Sequence, residues 1–423
     1  MHLRRYILFC LFMVFSLANI LPVYAANDSS PAAKGAYPQP LGKAALLMDA
    51  SSGRVLYEVN AHEHLSPASV TKIMTALLVV EKGDLKKEVT ISQTAADTPE
   101  SSIWLEPGDE LTREQLLYAA MLNSANDAVI ALTESVAGSE KNFVELMNRR
   151  AEQLGMKDTH FCNPHGLETK GHYTTAYDLA LVSREALNNA TFRQVVSTKT
   201  KTIPWTGKDY DHLLINQNRL LYRYDDAIGI KTGYTKQAGN CVVGAAQKNS
   251  LVLIAVAMNS PSVYDDLQQM LDYGFANFNK TTIKKSNQLS AEVPVTNGQA
   301  ETVQVIPKTD LIVAAAAKEQ SQLAYKLYPQ KQVEAPVTKG QVLGKCKMYV
   351  DGQEVGQVDL LAAASVALKP PVVNRFKTVF IKVVKIFGGV VLVIFICLYS
   401  IRLWNFWRRR KIKKYRPHRS YRQ

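Results

Sequence analysis

Two long apolar runs bracket the chain, one from Tyr6 to about Ile20 and one from Ile386 to Ile401, the second being 16 residues without a charge. The pattern between them is that of a folded body. Ala44 to Asp49 is a short apolar run, Ser51-Ser52-Gly53 a turn and Val55 to Val59 a returning run, which together predict a β-hairpin. From Val70 to Glu81 the apolar positions Ile73, Met74, Leu77 and Leu78 follow helical spacing, and Gly83 is a stop signal. Thr112 with Gln115 resembles a capping box opening a helix through Leu116 to Met121. Asp127 to Val136 predicts another helix, closed by Gly138. Cys241 to Ala246 and Leu251 to Met258 are apolar strands joined by Lys248-Asn249-Ser250. Strands at both ends with helices between them predict a layered α/β or α+β domain over residues 43–279.

After about Phe278 the texture changes. Short strand-like runs (Val303 to Ile306, Met348 to Val350, Val355 to Val358) alternate with turn signals at Asn297-Gly298, Lys339-Gly340 and Asp351-Gly352. This predicts a small β-rich domain over residues 283–369, left through Pro370-Pro371. Residues 26–42, with Pro31, Pro38 and Pro40, form a linker ahead of the first domain.

Charge separates the ends from the body. The chain of 423 residues holds 50 Lys and Arg against 37 Asp and Glu, a net +13. Ten of the bases lie between Arg402 and Gln423 and four more between Pro370 and Ile401, with no acid in either stretch. With Arg4 and Arg5 also set aside, Ala26 to Lys369 carries 34 bases against 37 acids. A nucleic-acid-binding body would carry its basic excess on the fold, so that class is excluded and a membrane surface is the expected partner of the tail.

Arg4 and Arg5, the apolar run and Val23-Tyr24-Ala25 have the layout of a secretory signal peptide over residues 1–25; an uncleaved anchor is the competing reading, and both export the body. The second apolar run predicts a transmembrane helix over residues 383–404, with Lys382, Lys385 and Arg402 snorkelling and Tyr399, Trp404 and Trp407 near an interface. A helix lying flat on the membrane is the alternative, but the run is apolar on all sides. The bases that follow place the tail, residues 405–423, in the cytoplasm and the body outside.

Cys162, Cys241 and Cys346 are the cysteines of the exported body, enough for at most one disulfide, and they read mostly as small buried apolar residues. His62-Glu63-His64, and His160 with Cys162, His165 and His172, could suggest metal ligands, but a metal-dependent hydrolase would need such a cluster plus a catalytic carboxylate, and the cysteine spacing fits no zinc pattern; neither metal nor organic cofactor is expected.

Three short strings carry candidate chemistry. Ser69 and Lys72 stand one helical turn apart at a predicted helix start, which can lay the amine beside the hydroxyl. A serine needs a base to become a nucleophile, and a lysine can serve if desolvation and nearby positive charge lower its pKa. Ser124-Ala125-Asn126 lies 52 residues after Lys72 between two predicted helices and offers a hydroxyl for proton transfer and an amide to hold a substrate. Lys231-Thr232-Gly233 lies 107 residues after Ser124, on a predicted edge strand, where a cation, a hydroxyl and a residue without a side chain suit a carboxylate. Taken singly, each is as well explained by a helix cap or a solvated turn. Together, each occurring once and in this order, they form the set used by serine β-lactamases and penicillin-binding proteins.

The sequence resembles the low-molecular-mass penicillin-binding proteins that act as serine-type D-Ala-D-Ala carboxypeptidases. The resemblance extends to Met48-Asp49-Ala50 with Gly53, Gly108-Asp109, Asn126-Asp127-Ala128, Leu154-Gly155-Met156, Asn163-Pro164-His165-Gly166-Leu167 and Thr174-Thr175-Ala176-Tyr177-Asp178-Leu179-Ala180. It implies a penicillin-binding-protein-like transpeptidase domain followed by the β-rich domain and the anchor. It implies Ser69 as the nucleophile toward peptidoglycan stem peptides ending in D-Ala-D-Ala, Lys72 as its base and Ser124 as the donor to the departing D-alanine. Asn126 would orient the acyl chain, Lys231 and Thr232 would hold the terminal carboxylate, and the N–H groups of Ser69 and of Tyr234, after Gly233, would form the oxyanion hole. β-Lactams would acylate Ser69 as substrate mimics. The middle motif has Ala125 where family members often carry glycine. The Glu-x-x-Leu-Asn string that class A β-lactamases use for deacylation is missing, since Glu185-Ala186-Leu187-Asn188 is one residue short. A membrane-anchored β-lactam receptor and an endopeptidase cleaving cross-links with the same residues remain as alternatives.

Overall fold

The computed structural model describes residues 35–205, 208–370 and 375–413. The expected signal peptide, most of the linker and the last ten residues of the tail lie outside them.

The first domain is built on a five-stranded antiparallel sheet. Its strands are β1 (Ala44–Asp49), β2 (Val55–Val59), β3 (Ala227–Thr235), β4 (Gly239–Lys248) and β5 (Leu251–Met258), in the spatial order β2-β1-β5-β4-β3. Chain-adjacent strands pair as hairpins, and β1, from the start of the domain, inserts against β5 from its end. Both faces of the sheet are covered, which is why β1 and β5 read as continuous rather than alternating apolar runs. Leu46, Met48, Val243, Ile254 and Val256 point into the larger core, and Ala45, Leu47, Val242, Leu253 and Ala255 into the smaller one.

The larger core is roofed by α1 (Lys72–Lys82), α2 (Arg113–Leu122), α3 (Asn126–Ala137), α4 (Glu140–Leu154) and α5 (Ala176–Ala186); α6 (Val263–Asn277) packs on the other face. The local signals match the structure closely. Thr112 and Gln115 make both bonds of the capping box, and Gly138 ends α3 in the left-handed conformation. One start differs. Ser69 lies in a 3₁₀ turn, Ala68–Thr71, and the α-helix begins only at Lys72. Ala68 has φ of 48°, so the chain enters the turn through a conformation that a regular helix start does not use.

The second domain is a six-stranded sheet with a separate core of Val293, Val305, Leu343, Cys346, Met348 and Leu360. Its small strand pair, Asn279–Lys284 with Leu311–Ala315, sits beside the first sheet. There Asp49 accepts from the N–H of Ala314 at 2.9 Å, and Arg54 donates to the Ala314 carbonyl at 2.7 Å while pairing with both oxygens of Glu319. Small residues at Ala314 and Ala315 let the two domains approach, and the half-buried forked Arg54–Glu319 pair fixes their contact. The described cysteines Cys162, Cys241, Cys346 and Cys397 are all free thiols.

The terminal helix, Arg375–Lys413, is longer than the predicted span of 383–404, because the flanking Lys and Arg are good helix formers and no proline intervenes. At about 1.5 Å per residue it exceeds a hydrocarbon core of about 30 Å. Its large apolar side chains are exposed, and its apolar stretch is not buried among the described residues.

Candidate active site

Four segments, far apart in sequence, meet at the end of the sheet beside β3. The 3₁₀ turn supplies Ser69 and leads directly into Lys72 at the first position of α1. The junction between α2 and α3 supplies Ser124 and Asn126. The edge strand β3 supplies Lys231, Thr232, Gly233 and Tyr234. The loop around His165 closes the floor.

Lys72 is the hub. Its side chain is wholly buried, and Nζ lies 2.9 Å from Ser69 Oγ, 2.8 Å from Asn126 Oδ1 and 2.8 Å from the carbonyl oxygen of His165. The last two are carbonyl-type oxygens that only accept. A neutral amine has two hydrogens, which those oxygens take, so its lone pair is left toward the Ser69 hydroxyl. Burial pushes the Lys72 pKa well down, and the charge of Lys231 pushes it further; Glu100 and Asp127 oppose this more weakly. Lys231 is also buried, and desolvation brings it to about 7; its Nζ donates to the Thr232 carbonyl at 3.0 Å. Of the two amines, Lys72 is the one placed to act as a base, since it lies against the Ser69 hydroxyl and its pKa is pushed well down, by burial first.

Gly233 shows why β3 carries a glycine. A Cβ there would lie 2.6 Å from Ser69 N, 3.0 Å from Val70 N and 3.1 Å from Ala68 Cβ, so only a bare backbone lets the strand run this close to the turn. Tyr234 follows, 64% exposed at the rim. Ser124 is 4% exposed with φ of 62°, and its Oγ has no hydrogen-bond partner among the described residues. A buried hydroxyl held without a partner in a sparsely populated conformation is typical of functional sites.

Sequence reasoning missed the supports. Asp127, fully buried, accepts from Ser102 Oγ (2.6 Å) and from the N–H groups of Ile103 and Leu105 (both 3.1 Å). Asn126 donates its side-chain amide to the Pro99 carbonyl at 2.8 Å and its backbone N–H to the Ser101 carbonyl at 2.6 Å. These bonds tie the loop 99–105 to the start of α3 beside Lys72. An aspartate directly after the motif asparagine is the only signal in sequence, and an Asp at a helix start reads first as a dipole partner. The His165 carbonyl could not be foreseen, because a backbone oxygen leaves no residue signature. The histidines hold the structure together. His64 pairs with Asp158 and stacks on Tyr173, while buried His165 accepts from the Leu167 N–H.

Gly166, in the same loop, has φ of 91°, and a Cβ there would lie 1.9 Å from the Ala68 carbonyl oxygen. Gly166→Ala is expected to cost more than about 2 kcal/mol of stability and, if Ser69 is the nucleophile, to slow its acylation at least about tenfold, through strain and displacement of the turn. Thermal unfolding and penicillin labelling of the variant check this; unchanged values would show that the turn tolerates the intrusion.

Residues 32–262 match the family model described as D-alanyl-D-alanine carboxypeptidase, and residues 278–367 match that of the penicillin-binding protein 5 C-terminal domain. The chain is 34% identical over 329 residues to the D-alanyl-D-alanine carboxypeptidase DacF of Bacillus subtilis, covering 76% of this chain and 84% of that one. It is 32% identical over 352 residues to DacC of Escherichia coli, covering 77% and 84%. Among solved structures, penicillin-binding protein 5 from Haemophilus influenzae superposes with a TM-score of 0.62 at 29% identity, covering 78% of this chain and 99% of that one. With a buried lysine on a serine hydroxyl, a glycine strand against that serine and matches across both domains, the chain belongs to the D-alanyl-D-alanine carboxypeptidase family.

Proposed function

We propose that the protein is a serine-type D-Ala-D-Ala carboxypeptidase that trims the terminal D-alanine from peptidoglycan stem peptides and is acylated by penicillin. The observation that carries this reading is the contact of Lys72 Nζ with Ser69 Oγ at 2.9 Å inside a buried site. Neutral Lys72 takes the Ser69 proton as Oγ attacks the carbonyl joining the last two D-alanines. The oxygen of that carbonyl becomes an oxyanion, received by the N–H groups of Ser69 and Tyr234. The C–N bond breaks, the proton passes from Lys72 by way of Ser124 to the departing amine, and an ester remains on Ser69. Water then cleaves the ester, with Lys72 as base again, and frees the shortened peptide. Charged Lys231 and the Thr232 hydroxyl hold the substrate's terminal carboxylate, and Asn126 holds the acyl chain while fixing Lys72. Release of D-alanine from a diacetylated tripeptide ending in D-Ala-D-Ala tests the reading; no release, with the acyl-enzyme persisting, would favour the receptor alternative.

The site works outside the membrane in this reading, with the catalytic domain over residues 43–279, the β-rich domain over 283–369 and the apolar helix anchoring the chain by a single pass. The exposed apolar surface of Arg375–Lys413 and the basic residues at its end support an inserted helix with a cytoplasmic tail. Removing residues 379–423 is expected to leave an active protein in the soluble fraction after membrane sedimentation; a truncated chain that still sediments with membranes would contradict the anchor.

A further inference from the structure

Ala68 and Ser69 share one peptide group, and in a trans peptide the C=O and N–H point in opposite directions. Whatever fixes the Ala68 oxygen therefore aims the Ser69 N–H. The oxygen is held by Thr71, whose Oγ1 donates to it at 2.8 Å. Thr71 Oγ1 in turn lies 3.0 Å from His172 Nε2. The other ring nitrogen, Nδ1, accepts the backbone N–H of Cys162 at 3.0 Å. A backbone N–H only donates, so Nδ1 carries no hydrogen, and the hydrogen of the neutral ring sits on Nε2. Nε2–H then donates to Thr71 Oγ1, which leaves the hydroxyl hydrogen directed at Ala68. His172 is 6% exposed, and the three bonds form one chain with a single direction.

From this geometry we infer that His172, through Thr71, is a positioning residue for the oxyanion donor at Ser69. The inference rests on Ser69 being the nucleophile. The turn needs such a device. Ala68 sits at φ of 48°, a conformation that a residue with a Cβ holds only when its surroundings enforce it. Gly166 and Gly233 press on the turn from two sides, and neither contributes a side chain that could steer it. The hydroxyl of Thr71 is the one bond to the Ala68 oxygen among the described side chains, and without the histidine's hydrogen that hydroxyl is free to turn toward Nε2 as a donor itself. The ring must stay neutral for the chain to run, because an imidazolium would set Nδ1–H against the Cys162 N–H. Burial is the main reason it does, bringing its pKa to about 4, with a smaller contribution from His160.

Two pairs of variants in the full chain test this. Asparagine places an oxygen where Nδ1 stands and keeps the Cys162 bond; glutamine places an N–H donor where Nε2 stands and keeps the Thr71 bond. Single-turnover acylation by the D-Ala-D-Ala tripeptide separates the chemical rate constant from substrate dissociation. His172→Gln and Thr71→Ser are expected to stay within about threefold of the parent, and His172→Asn and Thr71→Val to lose about tenfold or more in the chemical step, with dissociation unchanged within about twofold. The double variant H172N/T71V is expected to lose no more than the worse single one, since both break the same chain. Equal rates for all four variants, or a loss in His172→Gln as large as in His172→Asn, would overturn the inference and leave His172 as a tie between the 160–173 loop and the turn. Thermal unfolding identifies any variant that does not fold; should His172→Asn fail in this way, the Thr71 pair decides. Ser69→Ala separates the two claims: an inert Ser69→Ala with four equal variants rejects the relay alone, whereas acylation persisting in Ser69→Ala rejects the nucleophile beneath it.

Discussion

Ser69→Ala is expected to abolish both D-alanine release and covalent labelling by fluorescent penicillin, a loss of at least about 10⁴-fold. The size follows from covalent catalysis. Without Oγ there is no ester to form, and the remaining oxyanion and carboxylate contacts can bind substrate but cannot divide the reaction into two easier steps. The fold is expected to survive. Lys72 Nζ keeps its bonds to Asn126 Oδ1 and the His165 carbonyl, and the turn keeps the Thr71 bond to Ala68. Loss of activity with an unchanged thermal transition is the expected pair of results, and D-alanine still released by the folded variant would refute the assignment.

The second large effect is on pH. An ammonium at Lys72 has no lone pair for the Ser69 proton, so below the Lys72 pKa acylation falls about tenfold with each pH unit. The folded pKa lies well below the ordinary 10.5, first because the amine is wholly buried and then because Lys231 is near, so the rise is complete far below the pH at which a free lysine titrates. On the alkaline side the rate falls as Lys231 loses the charge that receives the substrate carboxylate. Burial brings that amine to about 7 in the empty site, and a bound carboxylate raises it again. The expected profile for acylation by the tripeptide is a bell. A profile flat from about pH 6 to about pH 10, or a single rise centred near the ordinary lysine value of about 10.4, would show that Lys72 reacts as an ordinary lysine or not at all.

Much of this site was legible in the sequence, for a physical reason. The residues that do chemistry must be particular types at particular spacings, and a serine one helical turn before a lysine, or a lysine-threonine-glycine string on an edge strand, leaves a mark. The sheet was legible too, because β4 and β5 are buried on both faces and so are apolar throughout their centres. Backbone and context were hidden. The 3₁₀ turn at Ala68–Thr71 has no sequence signal, because Pro67-Ala68-Ser69 reads as an ordinary helix start, and the left-handed Ala68 is enforced from outside by Gly166, Gly233 and Thr71. The His165 carbonyl on Lys72 is invisible for the same reason. His172 reads in sequence as one of several scattered histidines, and only the fold sets it against Thr71. The joint between the domains was equally hidden, since Asp49 and its partner Ala314, like Arg54 and its partner Glu319, are 265 residues apart and nothing local couples them. The terminal helix outran its predicted length because apolarity marks where a membrane could be, whereas helix propensity continues through Lys and Arg.

The central claim is that one hydroxyl, set between a buried lysine and a glycine strand, is the group that becomes acylated. Intact-mass measurement of the protein after brief exposure to benzylpenicillin, followed by peptide mapping, addresses it directly. A single added penicilloyl group, carried by the peptide that contains Ser69, is the expected result. An adduct on the peptide containing Ser124, or none at all on a folded protein, would contradict it.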